Sequence, residues 1–212
     1  MGTVLTKSYS LPPLRRREIL RYMGCREETI ETAELIDHCL TLCDGIFAPR
    51  VVFAEFDISQ NNSFIDLGFA TVQSKDLAKD LGGCESVILF CATVGHAIDR
   101  LIAKNSRLSP AKALCLQAIG AEAIEALCEC FCSDMACEHT KKGYSLRPRF
   151  SAGYGDLTLE LQRDIFRVLE CEKRVGVALN ESLLMSPSKS VTAIIGVGRG
   201  DAQGELFEKS SP

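Results

Sequence analysis

Apolar spacing and capping residues along the chain predict six helices. Their predicted spans are residues 14–23, 29–43, 74–81, 97–104, 109–139 and 158–174. The longest begins at Ser109-Pro110, where a capping hydroxyl precedes a proline at the first helical position. This helix is apolar nearly all round, so other elements of the fold must cover it.

Other stretches have the period of a β-strand. Alternating residues from Pro49 to Ile58 predict a half-buried strand, and the apolar run within Glu85–Val94 predicts a strand buried on both faces. A turn is predicted at 60–63, followed by a returning strand at 64–72. Near the end of the chain we expect a strand at 177–185, a turn at 186–189 and a strand at 190–197. Because few strands alternate with helices, we expect an α+β fold with an antiparallel sheet and long helices.

The length of 212 residues is typical of one large domain. We expect residues 1–60 to form a helical and strand subdomain of that domain. Residues 61–200 are expected to form its core, and residues 201–212 a flexible tail.

Charge and hydropathy exclude several classes of protein. The net charge of −4 argues against a nucleic-acid partner or an anionic membrane surface. The longest apolar run, Val87–Val94, is too short to span a bilayer. The first residues lack the apolar segment of a signal peptide, so we expect a cytoplasmic protein.

The chain has eleven cysteines, which we expect to be reduced thiols. Cys128, Cys130, Cys132 and Cys137 lie close together in sequence, but Cys130 points away from the helix face that Cys128 and Cys132 share. We therefore expect no metal site.

The sequence also indicates no catalytic residue. The three histidines are too scattered for a metal site or a catalytic triad. The glycines at 196, 198 and 200 follow a predicted strand, but no helix is predicted after them to form the anion site of a dinucleotide-binding loop.

The stretch Arg147–Asp156 is the strongest candidate for ligand binding. It combines two guanidinium groups, which suit a carboxylate or phosphate, with two glycines and an aromatic ring. Its composition fits an ordinary helix-to-helix loop as well as a ligand loop. On the preceding helix, the spacing of Glu122, Glu125 and Glu129 favours a solvated edge.

These residues carry a resemblance to a known family. Arg149-x-x-x-Gly153-Tyr154 resembles the Arg-x-x-x-Gly-Tyr motif of the S-adenosylmethionine-binding activation domain of cobalamin-dependent methionine synthase. The resemblance covers about residues 85–197. It includes Ile88–Gly95, Ala123–Ala126, Leu179–Ser182, Met185-x-Pro187 and Ser190-Val191.

The resemblance implies that the protein binds S-adenosylmethionine through Glu125, Arg149, Ser151, Gly153 and Tyr154. Arg149 is expected to bind the ligand's carboxylate and Glu125 its ammonium or sulfonium charge. Gly153 would admit the adenosine, and Tyr154 would flank it and face the corrinoid. The protein's task would be positioning rather than acid–base chemistry.

The resemblance also implies partners. The Asp-x-His-x-x-Gly signature of cobalamin binding is absent, so we expect cobalamin to be held by a methionine synthase module that this chain reactivates as a stand-alone subunit. A flavodoxin-type protein or another donor would supply the electron. The aromatic segment that follows the Ser-Val strand in the long form is replaced by Ala193-Ile-Ile-Gly196. One alternative is a non-catalytic module that binds or chaperones corrinoid proteins. Another is an independent methyltransferase with a small substrate, although no general base stands out.

Overall fold

The computed structural model describes residues 2–199, and the predicted tail at 201–212 lies outside them. The strands are β1 (Leu5–Ser8), β2 (Arg50–Asp57), β3 (Ser59–Asn61), β4 (Phe64–Asp66), β5 (Thr71–Gln73), β6 (Cys84–Thr93), β7 (Tyr144–Phe150), β8 (Ala178–Leu179), β9 (Met185–Ser186) and β10 (Ser190–Arg199). The helices are α1 (Arg16–Tyr22), α2 (Ile30–Leu42), α3 (Lys75–Asp80), α4 (Ala97–Ser106), α5 (Pro110–Thr140), α6 (Leu161–Leu169) and α7 (Cys171–Val175).

Five of the strands form one antiparallel sheet in the order β1-β2-β6-β10-β7. This confirms the predicted α+β class with an antiparallel sheet. As predicted, β6 is buried on both faces. Its Ile88 and Phe90 belong to one core cluster, while Val87 and Leu89 belong to the other.

The first face of the sheet is covered by α5, with α1, α2 and α4 packed around it. Ser109 Oγ accepts a hydrogen bond from the Lys112 N–H, which caps the start of α5 as its sequence predicts. Halfway along the helix, the Phe131 ring packs 4.9 Å from Phe90 of β6 and 5.2 Å from Phe53 of β2, between ring centroids. These contacts explain why α5 is apolar nearly all round.

The second face is covered by α3, α6 and α7 and by two small sheets, β3-β4-β5 and β8-β9. Of the apolar side chains that the helical spacing of α6 places inward, Leu161, Ile165 and Leu169 are buried and Val168 is half-buried. Elements other than the sheet therefore cover both of its faces.

Three predicted elements are divided in the structure. The predicted strand at 64–72 is two strands, because Gly68 turns the chain with a φ of +75°. The predicted helix at 158–174 is two helices, α6 and α7, which meet at Glu170 with a φ of +51°. The predicted strand at 177–185 forms only the short strands β8 and β9, joined by a turn.

The solvated-edge interpretation of the α5 glutamates is wrong for Glu122, whose side chain is fully buried. Arg15, just before α1, donates to it from its backbone N–H at 3.1 Å and its Nε at 2.9 Å. Glu122 is buried because α1 packs over this side of α5. A buried carboxylate needs such a charged partner.

We therefore expect Arg15→Met to destabilise the fold by about 3 kcal/mol, because it leaves the buried carboxylate of Glu122 without a cation. Arg21→Met within α1 is the control. Arg21 forms an exposed pair with Glu18, and its loss should destabilise the fold much less than the loss of Arg15. Urea unfolding of both variants measures the difference, and equal effects would contradict the structural role of the buried pair.

Candidate ligand-binding site

Arg149 lies in the edge strand β7 rather than in a loop. The register pairs Arg149 with Ile195 and Phe150 with Ile194 of β10. The first half of the stretch 147–156 is thus a strand, so the interpretation of the whole stretch as a helix-to-helix loop is wrong. Pro148 fits here because an edge strand tolerates a residue without an N–H.

Arg149 and Glu125 form an ion pair between β7 and α5. The Arg149 Nη2 donates to Glu125 Oε2 at 2.8 Å, and the two side chains remain 28% and 32% exposed. This bond does not use Nε or Nη1 of the guanidinium or Oε1 of the carboxylate. The structure thus brings together the two residues predicted to bind the charged ends of an amino acid, with part of each still accessible.

Two cysteines of α5, Cys128 and Cys132, lie on the side of the helix that faces Arg149. Burial raises the pKa of Cys132 to about 11, although the charge of Arg149 acts in the opposite direction. Burial likewise raises the pKa of Cys128. Both side chains therefore remain neutral thiols at pH 7. The positive charge of Arg149 is balanced by Glu125 rather than by a thiolate.

A cavity of about 570 Å³ lies beside Arg149. Its lining comes from α5, β7 and β10 and consists of Glu129, Cys132, Ser133, Ala136, Leu146, Arg147, Pro148, Arg149 and Ile195. The size falls within the range of cavities that bind small molecules, and such cavities combine apolar walls with a few polar groups. The cavity extends from Arg149 toward the start of β7.

Ser151 and Gly153 lie in the segment that follows β7. Ser151 Oγ donates to the Thr192 carbonyl oxygen of β10 at 2.9 Å, which ties the segment to the sheet. Gly153 has a φ of +87°, and a Cβ placed on it would lie 3.1 Å from Leu159 Cδ1. The space next to this glycine is therefore occupied by Leu159.

Tyr154 is 69% exposed, and its ring packs edge-on against Phe150 with 5.4 Å between ring centroids. Phe150 belongs to the core on the second face of the sheet, whereas Arg149 faces α5. Consecutive residues of a strand point to opposite faces. Tyr154 therefore lies around the sheet edge from the ion pair, and its predicted contacts with a ligand and a corrinoid stay predictions.

Asp156 anchors the segment after β7 to the start of α3. Its carboxylate accepts a hydrogen bond from Ser74 Oγ and another from the Lys75 N–H at 2.8 Å, and these bonds lower its pKa. In return, the Asp156 N–H donates to Asp76 Oδ2 at 3.3 Å. No local signal in the sequence indicates this capping interaction, because the two segments are 80 or more positions apart in the chain.

No protein-family model and no curated protein matches the chain significantly. A solved structure does match, the crystal structure of the MetH reactivation domain bound to AdoHcy, with a TM-score of 0.71 and 15% sequence identity. The match covers 96% of this chain and 80% of that one. The chain has the fold of this reactivation domain.

Among residues 2–199 the structure has neither a membrane-spanning helix nor a cluster of metal ligands. No helix among residues 2–199 is long and apolar enough to cross a membrane. Over the same residues, no three histidine, cysteine, aspartate or glutamate side chains converge as metal ligands, and the eleven cysteines are free thiols.

The raised pKa of Cys132 predicts a specific pH dependence of its alkylation. Because the thiolate is the reactive form, its rate should rise about tenfold per pH unit from pH 7 to 10 and level off near pH 11. The exposed Cys137 on the same helix is the reference and should react faster at pH 7. Mass spectrometry of the labelled peptides measures both rates, and equal rates at pH 7 would show that Cys132 is not shielded.

Proposed function

We propose that this protein binds S-adenosylmethionine at the Glu125–Arg149 pair and presents its methyl group to a corrinoid held by a methionine synthase module outside residues 2–199. The observation that carries the proposal is the partly exposed ion pair whose Arg149 lines a cavity of ligand size. The pair lies on a fold shared with a domain whose structure contains AdoHcy.

The charges of the pair fit the amino-acid end of this ligand. A zwitterion can bind between the two side chains, with its carboxylate on the free guanidinium donors of Arg149 and its ammonium on Glu125. Each new contact is a charge-assisted hydrogen bond. Because Arg149 and Glu125 are already paired, neither charge is left unpartnered in the cleft when the ligand is absent.

The reaction needs positioning rather than acid–base groups. A corrinoid reduced by the electron donor would supply the metal nucleophile for the sulfonium methyl carbon, and the bond from that carbon to sulfur would break to leave S-adenosylhomocysteine. The part of this chain would be to hold the methyl donor in position. The exposed ring of Tyr154, at the sheet edge, is available to contact the corrinoid-bearing module.

Binding of S-adenosylmethionine should depend on both members of the pair. We expect Arg149→Ala to weaken it roughly tenfold to a hundredfold, as for loss of a charge-assisted hydrogen bond worth about 1.5–3 kcal/mol. Glu125→Gln should also weaken binding, whereas Glu138→Gln on the exposed end of α5 should not. Calorimetric titration of the three variants and the parent measures these affinities.

Unchanged affinity in Arg149→Ala would remove this residue from the site. Failure of the parent protein to bind S-adenosylmethionine at millimolar concentration would reject the proposal. Binding to a corrinoid protein without S-adenosylmethionine binding would support the non-catalytic module instead.

The proposal also predicts methyl transfer to a carrier-bound corrinoid. A mixture of this protein, S-adenosylmethionine, a reductant and a corrinoid protein carrying cobalt(II) should show the absorbance of methylcobalamin. Omission of any of the four should abolish the change, and Tyr154→Ala should slow it because its exposed ring is proposed to contact the corrinoid module. Equal methylation of free cobalamin would contradict the requirement for a carrier and indicate an independent methyltransferase.

A further inference from the structure

We propose that Cys39 of α2 and Cys115 of α5 are a redox-active thiol pair, which a small-molecule disulfide such as oxidised glutathione converts to a disulfide bond. That bond joins α2 to α5, the helix that carries Glu125. Both residues are free thiols in the structure, which therefore shows the reduced form of the pair. The inference is independent of the proposed function, because it concerns the first turns of α5 and needs no bound ligand.

The two thiols meet where α2 packs against the first turns of α5. Cys39 Sγ lies 4.0 Å from the carbonyl oxygen of Lys112, and Cys115 follows three positions later on the same side of α5. The Cys115 thiol is close enough to hydrogen-bond with the Cys39 sulfur. Both side chains are fully buried in the core on the first face of the sheet. A disulfide needs sulfur atoms about 2 Å apart, so a small closing movement brings this pair to bonding distance.

The surroundings of the two thiols give them different roles. The hydrogen bond from Cys115 lowers the pKa of Cys39, and the charge of Lys112 acts in the same direction, although burial opposes them. The same hydrogen bond and burial raise the pKa of Cys115. Because the thiolate is the nucleophile in disulfide exchange, Cys39 attacks first and Cys115 completes the exchange.

The helix α2 is attached to the core by few side chains. Of its residues, only Ile36 and Cys39 are buried, whereas Ile30 at its start is 77% exposed. After its end, the chain turns at Gly45 with a φ of +68°. Elements with few buried apolar contacts open locally at low free-energy cost. A small disulfide can therefore reach Cys39 while the main sheet stays folded.

The oxidation balances as two successive exchanges. The Cys39 thiolate attacks one sulfur of oxidised glutathione, and the S–S bond of that molecule breaks to release one glutathione. Cys115 then gives up its proton and attacks the Cys39 sulfur, which releases the second glutathione. In total, two electrons and two protons pass from the pair to the small disulfide, and excess reduced glutathione reverses both steps.

A second thiol pair provides an internal comparison. Cys91 of β6 and Cys171 of α7 are also fully buried and within hydrogen-bonding contact. Here the hydrogen bond and burial both raise the pKa of Cys91, and β6 is the central strand of the main sheet. We therefore expect the Cys91–Cys171 pair to stay reduced under conditions that oxidise Cys39 and Cys115.

Incubation of the native protein with oxidised glutathione tests the proposal. Mass spectrometry of a non-reducing digest should show a Cys39–Cys115 link, which forms at least about tenfold faster than a Cys91–Cys171 link. Lys112→Gln should slow the formation of the Cys39–Cys115 link by about threefold or more, because it removes a charge that favours the Cys39 thiolate. Lys104→Gln, at the exposed end of α4, is the matched control and should leave the rate unchanged.

Replacement of each cysteine separates the two exchanges. In Cys115→Ser, Cys39 should accumulate as a mixed disulfide with glutathione, whereas in Cys39→Ser, Cys115 should stay unmodified. The thermal midpoints of the reduced variants show whether both are folded, and the parent and Lys112→Gln decide the question even where one is not.

Two results would overturn the inference. One is the absence of a Cys39–Cys115 link in the folded parent protein at a concentration of oxidised glutathione that modifies the exposed Cys137. The other is a Cys91–Cys171 link that forms as fast, because thiol contact alone would then explain the oxidation.

Discussion

The carboxylates of α5 are the constraint on which the arrangement of this molecule depends. A helix that packs into the core on most sides cannot leave a carboxylate there without a cation. Glu122 receives Arg15 from the N-terminal segment, and Glu125 receives Arg149 from the edge strand. Glu129 shares Arg15 with Glu122. The same three glutamates therefore attach the segment at the start of α1 to α5 and hold the Arg149 guanidinium beside a cavity.

These two ion pairs differ in what they can do. Glu122 has no exposed surface and accepts several hydrogen bonds from Arg15, so it is committed to stability. Glu125 and Arg149 are joined by a single hydrogen bond, from Nη2 of the arginine to Oε2 of the glutamate, and both side chains stay partly exposed. An ion pair of this second kind can exchange its partner for a zwitterionic ligand without leaving a charge buried and alone. The partly exposed position on the helix, rather than residue type, thus separates the structural Glu122 from Glu125, which is proposed to bind a ligand.

Much of the fold could be predicted from local signals. The apolar run of β6 and the Ser109-Pro110 start of α5 predicted these elements correctly because each signal is contained in a short segment. The break at Glu170 was missed, since a non-glycine residue with positive φ has no clear sequence signal. The burial of Glu122 was missed because the same helical spacing fits both a solvated edge and a covered one, and only the packing of α1 decides between them.

The candidate site was predictable only in part. The spacing of Arg149, Gly153 and Tyr154 indicated a motif, and the structure brings Arg149 to Glu125 across 24 positions of sequence. The cavity lining at Cys132, Ala136 and Leu146 could not be found, because small and apolar residues there are indistinguishable from ordinary core residues until α5 and β7 are placed side by side.

The most direct test of the account is a comparison of affinities for S-adenosylhomocysteine and 5′-methylthioadenosine, which lacks the amino-acid end. We expect S-adenosylhomocysteine to bind about tenfold to a hundredfold more tightly, with the difference lost in Arg149→Ala. Equal affinities in the parent protein would contradict recognition of a zwitterion by the Glu125–Arg149 pair.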